Sequence, residues 1–122
     1  MNEIEVSVSA HYVAAQSEPA EERYVFAYTI TIENRGGETA QLMSRHWIIT
    51  DASGEVEEVR GEGVVGKQPT LAPGGSFEYT SGAILKTPVG AMQGEYAFEN
   101  AARETFIVPI APFSLSMPNL VH

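Results

Sequence analysis

The sequence contains no cysteine. That excludes disulfides, thiolate nucleophiles and cysteine-bound zinc. Basic residues are scarce: seven lysines and arginines stand against sixteen acids, a formal charge of −9. A domain with that balance repels a phosphate backbone and an anionic membrane surface at long range, so nucleic acid is not an expected partner. A long apolar run is also missing. The most apolar segment, 105–121, is interrupted by Pro109, Pro112 and Pro118, and it falls short of the roughly 20 residues a spanning helix needs. It reads as a core strand followed by an extended tail. The first residues, Met1-Asn2-Glu3-Ile4-Glu5, are acidic where a secretory leader is positive. No membrane insertion is expected, and the cytoplasm is the expected compartment.

The 122 residues match the usual size of one domain, about 100–150, so a single domain over 1–122 is expected. Hydrophobic residues make up 43% and charged residues 19%, a profile that supports a packed core rather than disorder.

Alternation with a period of two dominates, and helical periodicity is nearly absent. Ile4, Val6, Val8, Ala10 and Tyr12 share one face of a first strand. Tyr24, Phe26, Tyr28, Ile30 and Ile32 mark the clearest strand, and the small and β-branched residues on its other face suit a central position. Asn34-Arg35-Gly36-Gly37 then supplies a turn. Segment 41–51 alternates imperfectly: Leu42, His46 and Ile48 oppose Met43, Arg45, Trp47 and Ile49, the pattern of a bulge or of burial on both faces. A short acidic strand is expected around 55–59, then a glycine-rich piece and a Pro73-Gly74-Gly75 turn. Three more strands follow, carrying Phe77 and Tyr79, then Met92 to Phe98, then Phe106 to Ile110. Pro109 places the last of these at a sheet edge or bulge. About seven strands with turn signals roughly every 8–12 residues predict an all-β sandwich, with a small closed barrel as the alternative. Segment 14–23 reads as an exposed, mobile loop.

The charge is uneven. Residues 1–62 hold twelve acids and four bases, net −8, and residues 63–122 hold four acids and three bases, net −1. The second half is therefore either a surface for partner contacts or simply more of the core.

The strongest local motif is Gly61-Glu62-Gly63-Val64-Val65-Gly66-Lys67-Gln68. It fits G-x-G-x-x-G, or the start of a P-loop, either of which cradles phosphate oxygens with backbone N–H groups at a helix N-terminus. Gly61, Gly63, Gly66 and Lys67 are the candidate phosphate-binding residues. Two features oppose the motif: Gln68 stands where a magnesium-holding Ser or Thr belongs, and Pro69 stands where a helix should be running. The plainer reading is a glycine-rich crossing between strands, with Val64 and Val65 as core contacts.

His11, His46 and His122 are the only imidazoles, and no two have metal-ligand spacing. His46 reads as a partly buried, hydrogen-bonded histidine. Glu55, Glu57, Glu58 and Glu62 could attract a hard cation, but a solvated acidic edge that discourages aggregation explains them better. Ser44 and His46 share a strand face two residues apart, about 6–7 Å between Cβ atoms from the strand rise, too far for a direct nucleophile–base bond. No catalytic residues, metal ligands or cofactor are expected.

Several runs together resemble a known family. They are Arg45-His46-Trp47-Ile48-Ile49-Thr50-Asp51, the glycine run through Pro69, Leu71-Ala72-Pro73-Gly74, Phe77-Glu78-Tyr79-Thr80-Ser81-Gly82, and Leu85-Lys86-Thr87-Pro88-Val89-Gly90-Ala91-Met92-Gln93-Gly94. In order and spacing, over 3–122, the chain is similar to bacterial ApaG proteins. The resemblance implies a fibronectin type III-like or immunoglobulin-like β-sandwich with no established enzymatic activity. It also implies an association with cobalt and magnesium tolerance or efflux. Genes of the family tend to lie beside a diadenosine tetraphosphate hydrolase. The same domain in eukaryotic F-box proteins and in a polymerase-delta-interacting protein implies protein interaction. The family's glycine motif, here Gly61, Gly63 and Gly66, implies a pyrophosphate reading. Three expectations follow: a non-enzymatic module that binds an unidentified protein, or a second copy as a homodimer, in divalent-cation homeostasis; a nucleotide or pyrophosphate sensor using 61–67; and direct cation binding by the acidic edge.

Overall fold

Phe26, Tyr28, Ile30 and Ile32, four alternate residues of one strand, are all buried, and the architecture follows from covering that face. A computed structural model describes residues 3–118. The strands are β1 (Ile4–Tyr12), β2 (Tyr24–Asn34), β3 (Ala40–Asp51), β4 (Val56–Glu62), β5 (Thr70–Leu71), β6 (Ser76–Leu85), β7 (Val89–Asn100) and β8 (Thr105–Ser116). Every ladder is antiparallel. One sheet has the order β1-β2-β6; the other runs β4-β3-β7-β8, with β5 also on β3. No ladder joins the two sheets, so the molecule is a two-sheet sandwich of the fibronectin type III-like kind and not a closed barrel. The eighth strand, β5, has two residues, too few to show alternation.

Bulges set which side chains enter the interior. The β3–β7 register shifts between Leu42 and Ser44, so Met43 is the extra residue and the inward row reads Leu42, Arg45, Trp47, Ile49. That explains the imperfect alternation of 41–51. A second shift, opposite Met92–Gly94, puts the extra residue on β8. Pro109 and Pro112 therefore lie on an edge strand, where a missing N–H donor costs least.

The core joins both halves of the chain: Phe26, Ile30, Ile32 and Leu42 pack with Met92, Tyr96, Phe98 and Leu115. Trp47 is central, meeting Tyr28, Tyr96 and Phe113 edge-on at centroid distances of 5.5, 6.2 and 5.9 Å, the favoured geometry for aromatic pairs. The second half of the chain thus supplies a large share of the core. Asn34 is a buried polar residue; its Nδ2 donates to Glu38 O (2.8 Å) and Leu71 O (3.0 Å), and its Oδ1 accepts from Gly36 N (3.0 Å).

The acidic strand is an edge, as read from the sequence, but it runs through Glu62. Segment 14–23 is mostly exposed and contains two 3-10 turns, Ala14–Gln16 and Pro19–Glu21, closed by a Glu18–Arg23 bridge. Among the described residues no helix is long and apolar enough to cross a membrane. Of the segment read as a core strand and an extended tail, 105–116 is strand, and the end of that segment, with His122, lies outside the described residues.

Candidate functional site

Gly61 belongs to β4 and faces Arg45 across the β3–β4 ladder. The Arg45 guanidinium lies over it: a Cβ on Gly61 would sit 2.8–2.9 Å from three guanidinium atoms. Arg45 Nη1 donates to Glu62 O (3.1 Å) and Gly63 O (2.8 Å). Beyond β4 the chain leaves the edge of β3 opposite the Met43 bulge and returns to it as β5. The Met43 carbonyl accepts from Gly63 N (2.9 Å) and from Gln68 Nε2 (2.9 Å).

Between these anchors the chain makes a two-residue hairpin turn. Val64 N donates to Lys67 O (2.8 Å) and Lys67 N to Val64 O (2.9 Å). Val65 and Gly66 have φ of 42° and 79°, positive at both central positions as in a type I′ turn. No helix follows. Gly63 has φ of 63°, and a Cβ there would meet the Lys67 carbonyl. Gly63 and Gly66 thus have a local reason within the hairpin, and Gly61 has one in the Arg45 side chain of the neighbouring strand. The structure brings Gly63, Gly66 and Lys67 together at one turn and leaves Gly61 in β4, with the Gly63, Val64 and Lys67 amides donating to carbonyl oxygens. Among the described residues the Val65 and Gly66 amides have no protein acceptor, and no acid pairs with Lys67. Val64 is fully buried in the core while Val65 is 53% exposed, so only the first of the two valines is the core contact expected.

Behind the turn, the inward rows carry polar groups. Arg45 and Tyr96 are paired on β3 and β7; Tyr28 and Ser81 are paired on β2 and β6, with Tyr79 two residues before Ser81. The Tyr79 and Tyr96 phenols hydrogen-bond across the sheets. Burial pushes the Tyr79 phenol up to about 12 and raises Tyr96 further, the neighbouring phenol adding to the shift of Tyr96. Tyr28 is also raised by burial, against the opposing pull of the Ser81 hydroxyl and the Arg45 charge. All three stay protonated at neutral pH. Tyr28, Arg45, Trp47, Tyr79, Ser81 and the 64–66 turn line a cleft of about 180 Å³ between the sheets.

A second hollow lies on the same open side. Ile49, Val56, Ile84 and Leu85 form its apolar wall, with Asp51, Glu55, Glu57 and Lys86 as its charged groups, around about 260 Å³. Val56 and Ile84 are 60% and 52% exposed, among the most exposed large apolar residues. It opens between the β4 edge of one sheet and the β6 edge of the other.

The remaining residues of interest lie apart. His11 is exposed on β1. His46 lies on the outward row of β3, its Nε2 2.8 Å from Glu58 Oε1, which Arg60 also approaches at 3.2 Å. The hydrogen bond from His46 is the main reason the Glu58 carboxyl is held below its usual range. Ser44 shares that outward row and makes no side-chain bond to His46 among the described residues. There, too, no three acidic or histidine side chains converge as a metal site would require.

A family model described as the ApaG domain matches residues 14–100. The chain belongs to the ApaG domain family. It is 53% identical over 120 residues to Protein ApaG of Acidithiobacillus ferrooxidans, covering 98% of this chain and 94% of that one. It is 56% identical over 119 residues to Protein ApaG of Azoarcus sp., with the same coverage of each. A Bordetella pertussis crystal structure carrying the ApaA name superimposes with a TM-score of 0.94 at 54% identity, covering 97% of this chain and 96% of that one. The glycine turn, the cleft and the apolar hollow all fall within the matched ApaG domain. Sequence reasoning found the turn but missed the cleft. The usable signal was three tyrosines at inward positions, since buried phenols need hydrogen-bond partners.

Proposed function

We propose that this ApaG-family protein is a cytoplasmic, non-enzymatic interaction module acting as a single domain in cobalt and magnesium homeostasis or efflux. Its link to the cations comes from the family resemblance and runs through a protein partner. The observation that supports docking is the pair Val56 and Ile84, both more than half exposed, on opposite walls of the hollow between the β4 and β6 edges. Exposed apolar side chains concentrated on unpaired strand edges suit an added extended segment. Asp51, Glu55 and Glu57 on the rim favour a segment whose apolar residues are flanked by Lys or Arg. Nucleic acid and membrane lipid are not partners in this reading; a second copy of the chain is the alternative occupant. The experiment is native co-purification with the wild-type protein and with the Val56→Asp/Ile84→Asp double variant. A partner recovered reproducibly with the wild type and lost with the folded variant is the expected result. An identical set of proteins with both would overturn the assignment.

A nucleotide or pyrophosphate sensor is the second reading. It is favoured by the Val65 and Gly66 amides, which have no protein acceptor among the described residues, beside Lys67, which pairs with no acid there. Calorimetry with ATP and diadenosine tetraphosphate, with and without magnesium, decides it. Binding abolished by Lys67→Ala supports this reading, and no heat at millimolar ligand ends it.

A further inference from the structure

Arg45 is placed unusually for a cation. It stands on the inward row of β3, and its two recorded hydrogen bonds, to Glu62 O and Gly63 O, both leave from Nη1. Among the described residues no carboxylate lies within ion-pair distance of it. Its Nε and Nη2 have no hydrogen-bond partner there, and no buried side-chain nitrogen or oxygen is left unsatisfied. The Nε–Nη2 edge is therefore not fully buried, and its donors are not used by the protein among the described residues. Two parallel N–H donors on one edge are the fork that grips a carboxylate.

The cleft beside this fork has the rest of a recognition site. The Tyr28 and Ser81 hydroxyls stand at paired positions on the facing sheet. Trp47, Tyr79 and Val65 supply aromatic and aliphatic wall. A guanidinium and hydroxyls converging beside an aromatic wall supply the orienting polar groups of a small-ligand site. Charge selects the ligand. Arg45 is the one cation among the lining residues, and the chain as a whole carries −9. One positive group in a negative field matches a monoanion; a phosphate dianion or a polyphosphate would be left under-neutralised.

We propose that the Arg45 cleft binds a carboxylate carried on a small apolar body, with the Arg45 Nε–Nη2 edge holding the anion and Ser81 and Tyr28 completing its hydrogen bonds. The apolar body packs against Trp47 and Val65. Such a group is either a free short-chain acid or the C-terminal residue of a polypeptide. This site shares no side chain with the hollow at Val56 and Ile84, so it stands or falls separately from the docking proposal.

The chain contains one tryptophan, and it lines the cleft, so its fluorescence reads occupancy directly. The probes are isovalerate for a free acid, N-acetylvaline for a chain end, N-acetylvalinamide as the uncharged control, and inorganic phosphate. Saturable change with one or both carboxylates and none with the amide is expected, the better carboxylate identifying the source. Arg45→Lys keeps the charge but loses the fork and should weaken binding about ten-fold. Because Arg45 also anchors Glu62 and Gly63, Ser81→Ala serves as a variant that removes only a hydroxyl, with a loss of about three-fold expected. The proposal is overturned by any of three results: no saturable response to either acid at about 10 mM, the weak limit for a specific site; phosphate binding as tightly as the carboxylates; or unchanged binding in both Arg45→Lys and Ser81→Ala.

Discussion

The phenol oxygens of Tyr79 and Tyr96 stand 2.5 Å apart, a hydrogen bond between β6 of one sheet and β7 of the other. It is a direct polar tie between the layers, as is the bond from Asn34 Nδ2 on β2 to Leu71 O on β5. Each hydroxyl is the other's partner in a site that excludes much of the solvent. Removing one therefore strands the other.

Tyr79→Phe and Tyr96→Phe should each lower stability by about 1–3 kcal/mol, the range for leaving a buried hydroxyl unpaired. The double variant, which removes both polar groups, should be less unstable than the two losses added together. Chemical denaturation of the four proteins gives the coupling directly. Simple additivity would show that the bond contributes nothing specific.

Val65 occupies a left-handed conformation, with φ of 42°, unfavourable for a β-branched residue. Asn followed by Gly is the preferred pair for a two-residue turn with both φ positive. Val65→Asn should therefore raise the midpoint of denaturation, by about 1 kcal/mol in stability, and Val65 forfeits little packing because it is half exposed. An unchanged or lower midpoint would mean that the turn has another source of stability.

Two carboxyls, those of Asp51 and Glu58, are held below their usual range. Asp51 Oδ1 accepts from Ser53 Oγ (2.8 Å), Ser53 N (2.9 Å) and Glu55 N (3.0 Å), and the Ser53 hydroxyl contributes most to its shift. For Glu58 the main contributor is the His46 hydrogen bond. A carboxyl whose folded-state pKa is depressed adds stability that is complete above the unfolded value, about 4, and is lost as pH falls through the folded one. NMR titration should show both carboxyls titrating below the ordinary carboxylate range. Ser53→Ala should move Asp51 upward, and His46→Ala should do the same for Glu58. Both variants should lose less stability than the wild type on acidification below pH about 4.

The strands with strict alternation were legible in the sequence. Tyr24 through Ile32 and Met92 through Phe98 carry one buried residue in two, and pairing on both sides does not disturb that pattern. Pro109 marked an edge because a missing donor is tolerated only there. Two features were hidden. The Met43 bulge shifts alternation by one, so Arg45 turns inward only once the β3–β7 register is known. The glycine spacing also answers to more than one cause: Gly61 makes room for a guanidinium from another strand, whereas Gly63 and Gly66 permit positive φ. Pro69 was the local sign that no helix follows. The cleft joins residues from β2, β3, β6 and the 64–66 turn, and no local pattern reports that convergence.

The order in which the strands are synthesised has a consequence for the nascent chain. β6 completes the first sheet by pairing with β2, Tyr28 opposite Ser81, although β3, β4 and β5 are made in between. Until residue 85 has left the ribosome, β2 keeps one long side unpaired, eleven residues rich in aromatic and β-branched side chains. Such a ribbon invites pairing with a neighbouring nascent copy. A product truncated before β6 should be retained in the insoluble fraction, while the full-length chain closes its own edge.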